Sequence, residues 1–256
     1  MNKLNSFVLI IILFSTTLLS QNKVRIYGHV TDFNNNPVDS VSVWLKQNID
    51  SLELKNKDKI FENSHETFTD STGYFSMEVE PGTYYCLYSI KEVDYGKTKL
   101  EYWAWNIPVY KDLEINPQYD RIEIYGISGF EPKRGPFNSY KIYFRPMSLT
   151  KAHNLSKETK SDTINIAPNE ITEEELTVKV NGTESKIVAI DKIREYTRDD
   201  HYMFAYMIQV LKPLDPLPTF NSEQLVDEYD KISVILHSSE TNEYGKGEYF
   251  IKKIGK

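Results

Sequence analysis

Between Val24 and Ser89 the chain alternates apolar and polar residues in short runs. Three clusters cut those runs: Asn34-Asn35-Asn36-Pro37, Asp70-Ser71-Thr72-Gly73 and Glu80-Pro81-Gly82. A period of two sends successive side chains to opposite faces of a pleated strand. Val24, Ile26, Gly28 and Val30 take one face, and Arg25, Tyr27 and His29 the other. Val41, Val43 and Leu45 alternate with Ser42, Trp44 and Lys46, and Phe75, Met77 and Val79 with Ser76, Glu78 and Glu80. The cutting clusters are turn formers: Asn and Asp side chains bond back to the backbone, and Gly73 suits a positive φ. The stretch therefore predicts hairpins. The 18 Tyr, 12 Phe and 3 Trp agree, because large rings cover neighbours on a pleated face.

Residues 1–20 have another character. Lys3 supplies a positive start, Phe7 to Phe14 is apolar, and Ser15 to Ser20 is smaller and more polar. This is the form of a secretory signal peptide cleaved after Ser20, and the apolar run is short for a membrane span. Export is expected, to the periplasm, the cell surface or the medium. The only cysteine is Cys86, so an intramolecular disulfide is impossible; its aromatic run, Tyr84-Tyr85-Cys86-Leu87-Tyr88, predicts a buried, inert thiol. Loss of the leader removes Lys3 and takes the formal charge from −7 to −8. An acidic chain without a basic cluster opposes nucleic-acid binding.

The first domain is expected over residues 21–117. Residues 48–63 are polar and predict a long surface loop. Four segments, Gly28-His29-Val30-Thr31-Asp32, Pro37 with Val41-Ser42-Val43, Thr69 to Phe75, and Pro81-Gly82-Thr83-Tyr84, together resemble the carboxypeptidase regulatory-like domain, a transthyretin-like seven-stranded β-sandwich. The resemblance covers residues 24–90 and extends toward 116. It implies a structural or adhesive accessory of exported bacterial proteins, and it implies no catalytic residue. The chain departs from the family pattern after Tyr95-Gly96, where Leu100 to Asn116 is rich in rings. There Trp103 and Trp105 share a face, alternating with Tyr102 and Ala104. Trp103, Trp105 and Tyr102 are the candidate ligand-binding residues, as a platform for glycan or peptide. Residues 111–116 read as the domain's last strand.

Asn116 to Asp120 marks the boundary, and a second domain is expected over 118–256. Strand-like pieces fall at 121–125, 140–145, 163–167, 176–181, 185–191, 202–211, 231–237 and 248–254, with room for a short helix inside 147–160. Asn181-Gly182 is a hairpin signal, residues 212–222 are a proline-rich loop, and Thr241 to Gly247, with two glycines, reads as a turn. Eight short strands with irregular loops suggest an immunoglobulin-like sandwich. The expected fold is thus all-β, with two β-sandwich domains.

Chemistry is sparse. His29, His65, His153, His201 and His237 form no metal-ligand spacing, and no nucleophile elbow, phosphate loop or dinucleotide fingerprint is present. Asp32, Asp70, Asp191, Asp199 and Asp200 are the acidic candidates. Asn154-Leu155-Ser156 and Asn181-Gly182-Thr183 match glycosylation acceptors. No cofactor and no metal is expected. The sequence points to a non-enzymatic exported binding or structural protein of the cell envelope, its partner an envelope protein or glycan. The alternative is a secreted hydrolase acting on polysaccharide or peptide, which requires two carboxylates at catalytic separation.

Overall fold

The computed structural model describes residues 23–47, 65–133, 135–155, 162–197, 201–213 and 228–253. The leader, the loop expected at 48–63, most of the proline-rich loop, Asp199 and Asp200 lie outside the described residues.

The alternating runs form strands where expected. They are β1 (Val24–His29), β2 (Ser42–Gln47), β3 (His65–Phe68), β4 (Tyr74–Val79), β5 (Gly82–Ile90), β6 (Tyr102–Val109) and β7 (Leu113–Glu114). The second half supplies β8 (Ile122–Phe130), β9 (Ser139–Ser148), a short helix α1 (Leu149–Leu155), β10 (Leu176–Val180), β11 (Thr183–Glu184), β12 (Ile187–Tyr196), β13 (Tyr202–Leu211), β14 (Tyr229–Ser238) and β15 (Glu243–Lys252). Seven strands therefore precede residue 117 and eight follow it.

The strands form three sheets. One has the order β4-β1-β7, one β12-β13-β9-β8, and the largest β11-β10-β14-β15-β6-β5-β2-β3. That eight-stranded sheet spans both halves of the chain. It closes through a short parallel contact of β15 with β6: Gly247 opposite Trp103, Glu248 opposite Ala104, Tyr249 opposite Trp105. The two sandwiches thus share one sheet, and their cores lie on its opposite faces. Phe250 and Ile251, adjacent in β15, make the point: Phe250 joins Ile26, Leu45, Leu87 and Tyr102 in the first core, and Ile251 joins Ile124, Ile142, Ile208 and Val234 in the second.

Several expectations are corrected. The turn expected at 241–247 is mostly strand, since β15 begins at Glu243. Its glycines serve close approach. A Cβ on Gly247 would stand 2.7 Å from the Ile124 carbonyl oxygen, and one on Gly245 would overlap that of Ile122, so β8 crosses β15 backbone against backbone. Residues 163–167 hold only an isolated bridge, Thr163 to Tyr202. The strand expected at 111–116 shrinks to Leu113–Glu114, parallel to β1. Asn181 and Gly182 do turn a hairpin, at φ 49° and 82°, but its return strand is only β11; β12 leaves for the four-stranded sheet.

Candidate functional site

Opposite-face packing gives the molecule two re-entrant corners. In one, the outer face of β2, β5 and β6 meets the flank of β8 and β9. Alternation along β6 sends Trp103 and Trp105 into this corner, half-buried, and sends Tyr102 and Ala104 to the first core. Tyr102 is 0% exposed, and its hydroxyl donates to Glu248 Oε2 at 2.6 Å. It touches no surface, so its expected place beside the two tryptophans in a ligand platform is corrected: the strand's period of two separates it from them.

Cross-strand register builds a ladder of rings. Trp44 opposes Tyr88, and Tyr88 opposes Trp103. The ring centroids are stacked at 4.6 Å for Trp44 and Tyr88, 4.7 Å for Tyr88 and Trp103, and 5.0 Å for Trp103 and Trp105. Tyr85 stands perpendicular to Trp105 at 5.3 Å. Lys46 lies 4.8 Å from the Tyr88 centroid. Trp103 is stacked between Tyr88 and Trp105, whereas Trp105, at the end of the ladder, is stacked on Trp103 alone.

β8 supplies the wall. The Trp103 indole donates to Glu123 Oε1 at 2.7 Å. Glu123 is buried and hydrogen-bonded to Glu101; burial, then the mutual charge, raises its carboxyl far above the ordinary range, and burial raises that of Glu101. The pair is in direct contact, closer than the roughly 5 Å or more that glycoside hydrolysis places between its two carboxyls. Beyond Tyr125 the β8–β9 register slips before Ser128. Gly126, in the bulge, has φ 60°, and a Cβ there would sit 3.3 Å from the Arg145 guanidinium nitrogens. Glycine thereby lets Arg145 lie flat on the backbone, its Cζ 5.0 Å from the Tyr125 centroid.

Past Tyr249 and Trp105, β15 and β6 part, bridged by Asn106 Nδ2 donating to the Phe250 carbonyl at 2.6 Å. A cleft of about 550 Å³ opens at this fork, lined by Tyr85, Trp105, Tyr125, Tyr249, Arg145 and the β8 bulge. Its size is that of a ligand site. Among the described residues, Trp105 Nε1 and Arg145 Nε, both closed to solvent, make no hydrogen bond. Glu195 Oε2 is 3.3 Å from Arg145 Nε, off the N–H line, and also accepts the Tyr143 hydroxyl.

The second corner is closed. Glu248 receives Tyr102, Ser233 Oγ at 2.8 Å, and both Lys231 and Lys246 at 3.1 Å; Lys246 also donates to the Asn116 carbonyl at 2.9 Å. Burial alone would raise this carboxyl, but Lys231, Lys246 and the two hydroxyls hold it at about 2. A smaller cavity, about 230 Å³, borders Asp230, whose carboxylate already takes Tyr140, Asn181 at 2.7 Å and Lys253 at 3.5 Å. Cys86 is buried and its thiol is pushed up to about 12 by burial, so it is a poor nucleophile. Among the described residues no three His, Cys, Asp or Glu side chains are grouped to hold a metal ion.

Trp103 and Trp105 were legible candidates. Tyr85, Arg145 and Glu123 were not: nothing local distinguishes them, and only register and the crossing of β8 bring them in.

No family model matches the chain, and no curated protein matches it. Among solved structures it is similar to three bacterial pilins. The full-length major pilin SpaD of Corynebacterium diphtheriae is 10% identical with a TM-score of 0.27, over 89% of this chain and 64% of that one. BcpA, the major pilin subunit of Bacillus cereus, is 12% identical with a TM-score of 0.26, over 90% and 69%. The C. diphtheriae major pilin SpaA is 11% identical with a TM-score of 0.25, over 83% and 62%. The chain thus spans just under two thirds of SpaD. At these scores the likeness carries no argument for function.

Proposed function

We propose that this chain is an exported, non-enzymatic binding protein of the bacterial cell envelope, and that it holds a partner polymer in the cleft between its two sandwiches. The observation that carries this reading is the cleft itself, where four rings and one guanidinium converge. On this reading residues 1–20 are the leader, residues 21–117 are a carboxypeptidase regulatory-like sandwich, and residues 118–256 are an immunoglobulin-like one. Trp103 and Trp105 act as the cleft's floor, Trp105 in contact with the partner and Trp103 in support.

The hydrolase alternative rests on Glu101 and Glu123, the one buried carboxyl pair near the cleft among the described residues. Their direct contact disfavours it. The deciding experiment exposes the chain to envelope polysaccharide and protein fractions, measuring retention and product release separately. Retention without new reducing ends or peptides supports the binding role. Product release that disappears in Glu123→Gln overturns it.

A further inference from the structure

We propose that the cleft holds a short stretch of a neutral glycan, with one sugar ring laid against Trp105 and Tyr249. The inference deepens the reading above and rests on it.

Charge narrows the ligand first. Among the described residues lining the cleft, Arg145 alone is charged, and it is already paired with Glu195 at 3.3 Å. The lining therefore carries no unmatched charge. An acidic glycan or a charged peptide would lose hydration on entering and gain no ion pair in return.

The rings narrow it further. Trp105 and Tyr249 are opposite residues of the β6–β15 contact, so adjacent strands set them side by side on one sheet face. Trp105 has Trp103 stacked on one face and Tyr85 perpendicular to it, and no second ring is stacked on the face turned from Trp103. Tyr249 packs against the second core, yet among the described residues no ring is stacked on it and no cation lies over it. A ring face is partially negative and attracts the polarised C–H groups on the apolar side of a sugar. Tyr85, Tyr249 and Ser128 also line the cleft, and their hydroxyls make no hydrogen bond among the described residues. A hydroxyl both donates and accepts, as the hydroxyls of a sugar do. A peptide strand, in contrast, docks along a bare sheet edge. At the fork that edge is engaged: Asn106, at φ 57°, donates its side-chain amide to the Phe250 carbonyl.

The test uses residues 21–256 with nitrogen-labelled indoles. The probes are cellohexaose, xylohexaose and mannohexaose, with trigalacturonate and an alternating Thr/Gln hexapeptide beside them. Trp105→Phe assigns the Trp105 N–H signal. The expected result is that a neutral hexamer moves that signal, with affinity changing less than about twofold between about 50 and 500 mM salt. Trp105→Ala weakens its binding about tenfold, and Tyr249→Phe, which keeps the ring, about threefold. The signal locates the ligand in the unaltered chain, so the test stands even where Trp105→Ala fails to fold. Trigalacturonate or the peptide moving the signal at the same or a lower concentration than every neutral hexamer overturns the neutral glycan and leaves the cleft reading standing. If no probe moves it, both the proposal and the cleft as a binding site fall.

Discussion

The two corners of this molecule are built from the two faces of one sheet, yet they solve opposite problems. In the closed corner a single carboxylate, Glu248, is surrounded by two ammonium groups and two hydroxyls. In the open corner four rings and a guanidinium line a cleft of about 550 Å³. Polar burial with every partner present makes a joint. A concave cleft lined by rings and one guanidinium makes a candidate site. The same contrast holds for charge: the closed corner lowers its carboxyl, and the open one raises two.

Four measurements can break or sharpen that contrast. The largest effect belongs to the joint. Glu248→Gln leaves Lys231 and Lys246 buried without their counter-charge and is expected to cost about 3–5 kcal/mol in chemical denaturation at neutral pH. A loss below 1 kcal/mol, on the scale of an exposed pair, would show the cluster to be incidental. Next is Gly247→Ala, which drives a methyl group against the Ile124 carbonyl and forces β8 away from β15; about 1–3 kcal/mol is expected, read from the shift of the unfolding midpoint.

The third measurement is the pH dependence of stability. Glu248 is depressed in the fold, so its contribution is present above the ordinary glutamate range near 4.5 and is lost as pH falls toward 2. Glu101 and Glu123 are raised, so the fold favours their protonated forms. Stability is therefore lost as pH climbs from about 4.5 toward 8, through the raised values of the pair. Glu123→Gln should flatten the alkaline limb and leave the acid limb in place. A variant that flattens both would tie the corners together. The smallest effect is Trp103→Phe, which trims the ladder and removes the donor to Glu123. About 1 kcal/mol is expected from the weakened stack, with a further upward shift of the Glu123 titration followed by carboxyl-labelled NMR.

Much of the fold was legible because strand alternation is a local property. Val41, Val43 and Leu45 point inward as their period demands, and Trp103 and Trp105 do share a face. Misreadings arose where one residue type has two physical uses. Gly245 and Gly247 look like a turn by composition, but they are strand residues kept bare for a crossing backbone. Tyr102 looks like a companion of the tryptophans by proximity, but its hydroxyl belongs to a carboxylate 146 residues away. Arg145 sits in an alternating strand and differs in no local way from any outward arginine. What selects it is Gly126, across the ladder on another strand. The cleft is a product of register between distant segments, and a linear reading reaches such a site only by its rings.

The parallel contact of β15 with β6 also bears on the order in which the molecule is assembled. The first sandwich has seven strands of its own, but its core lacks Phe250 and one edge of β6 stays bare until residues 243–252 arrive. An exposed edge beside a row of rings invites pairing with any passing strand. That edge closes late, since the contact joins Trp103 to Gly247 and such long-range pairing forms slowly. The last strand therefore seals the first half as well as finishing the second. The edge of β6 stays vulnerable until β15 has crossed.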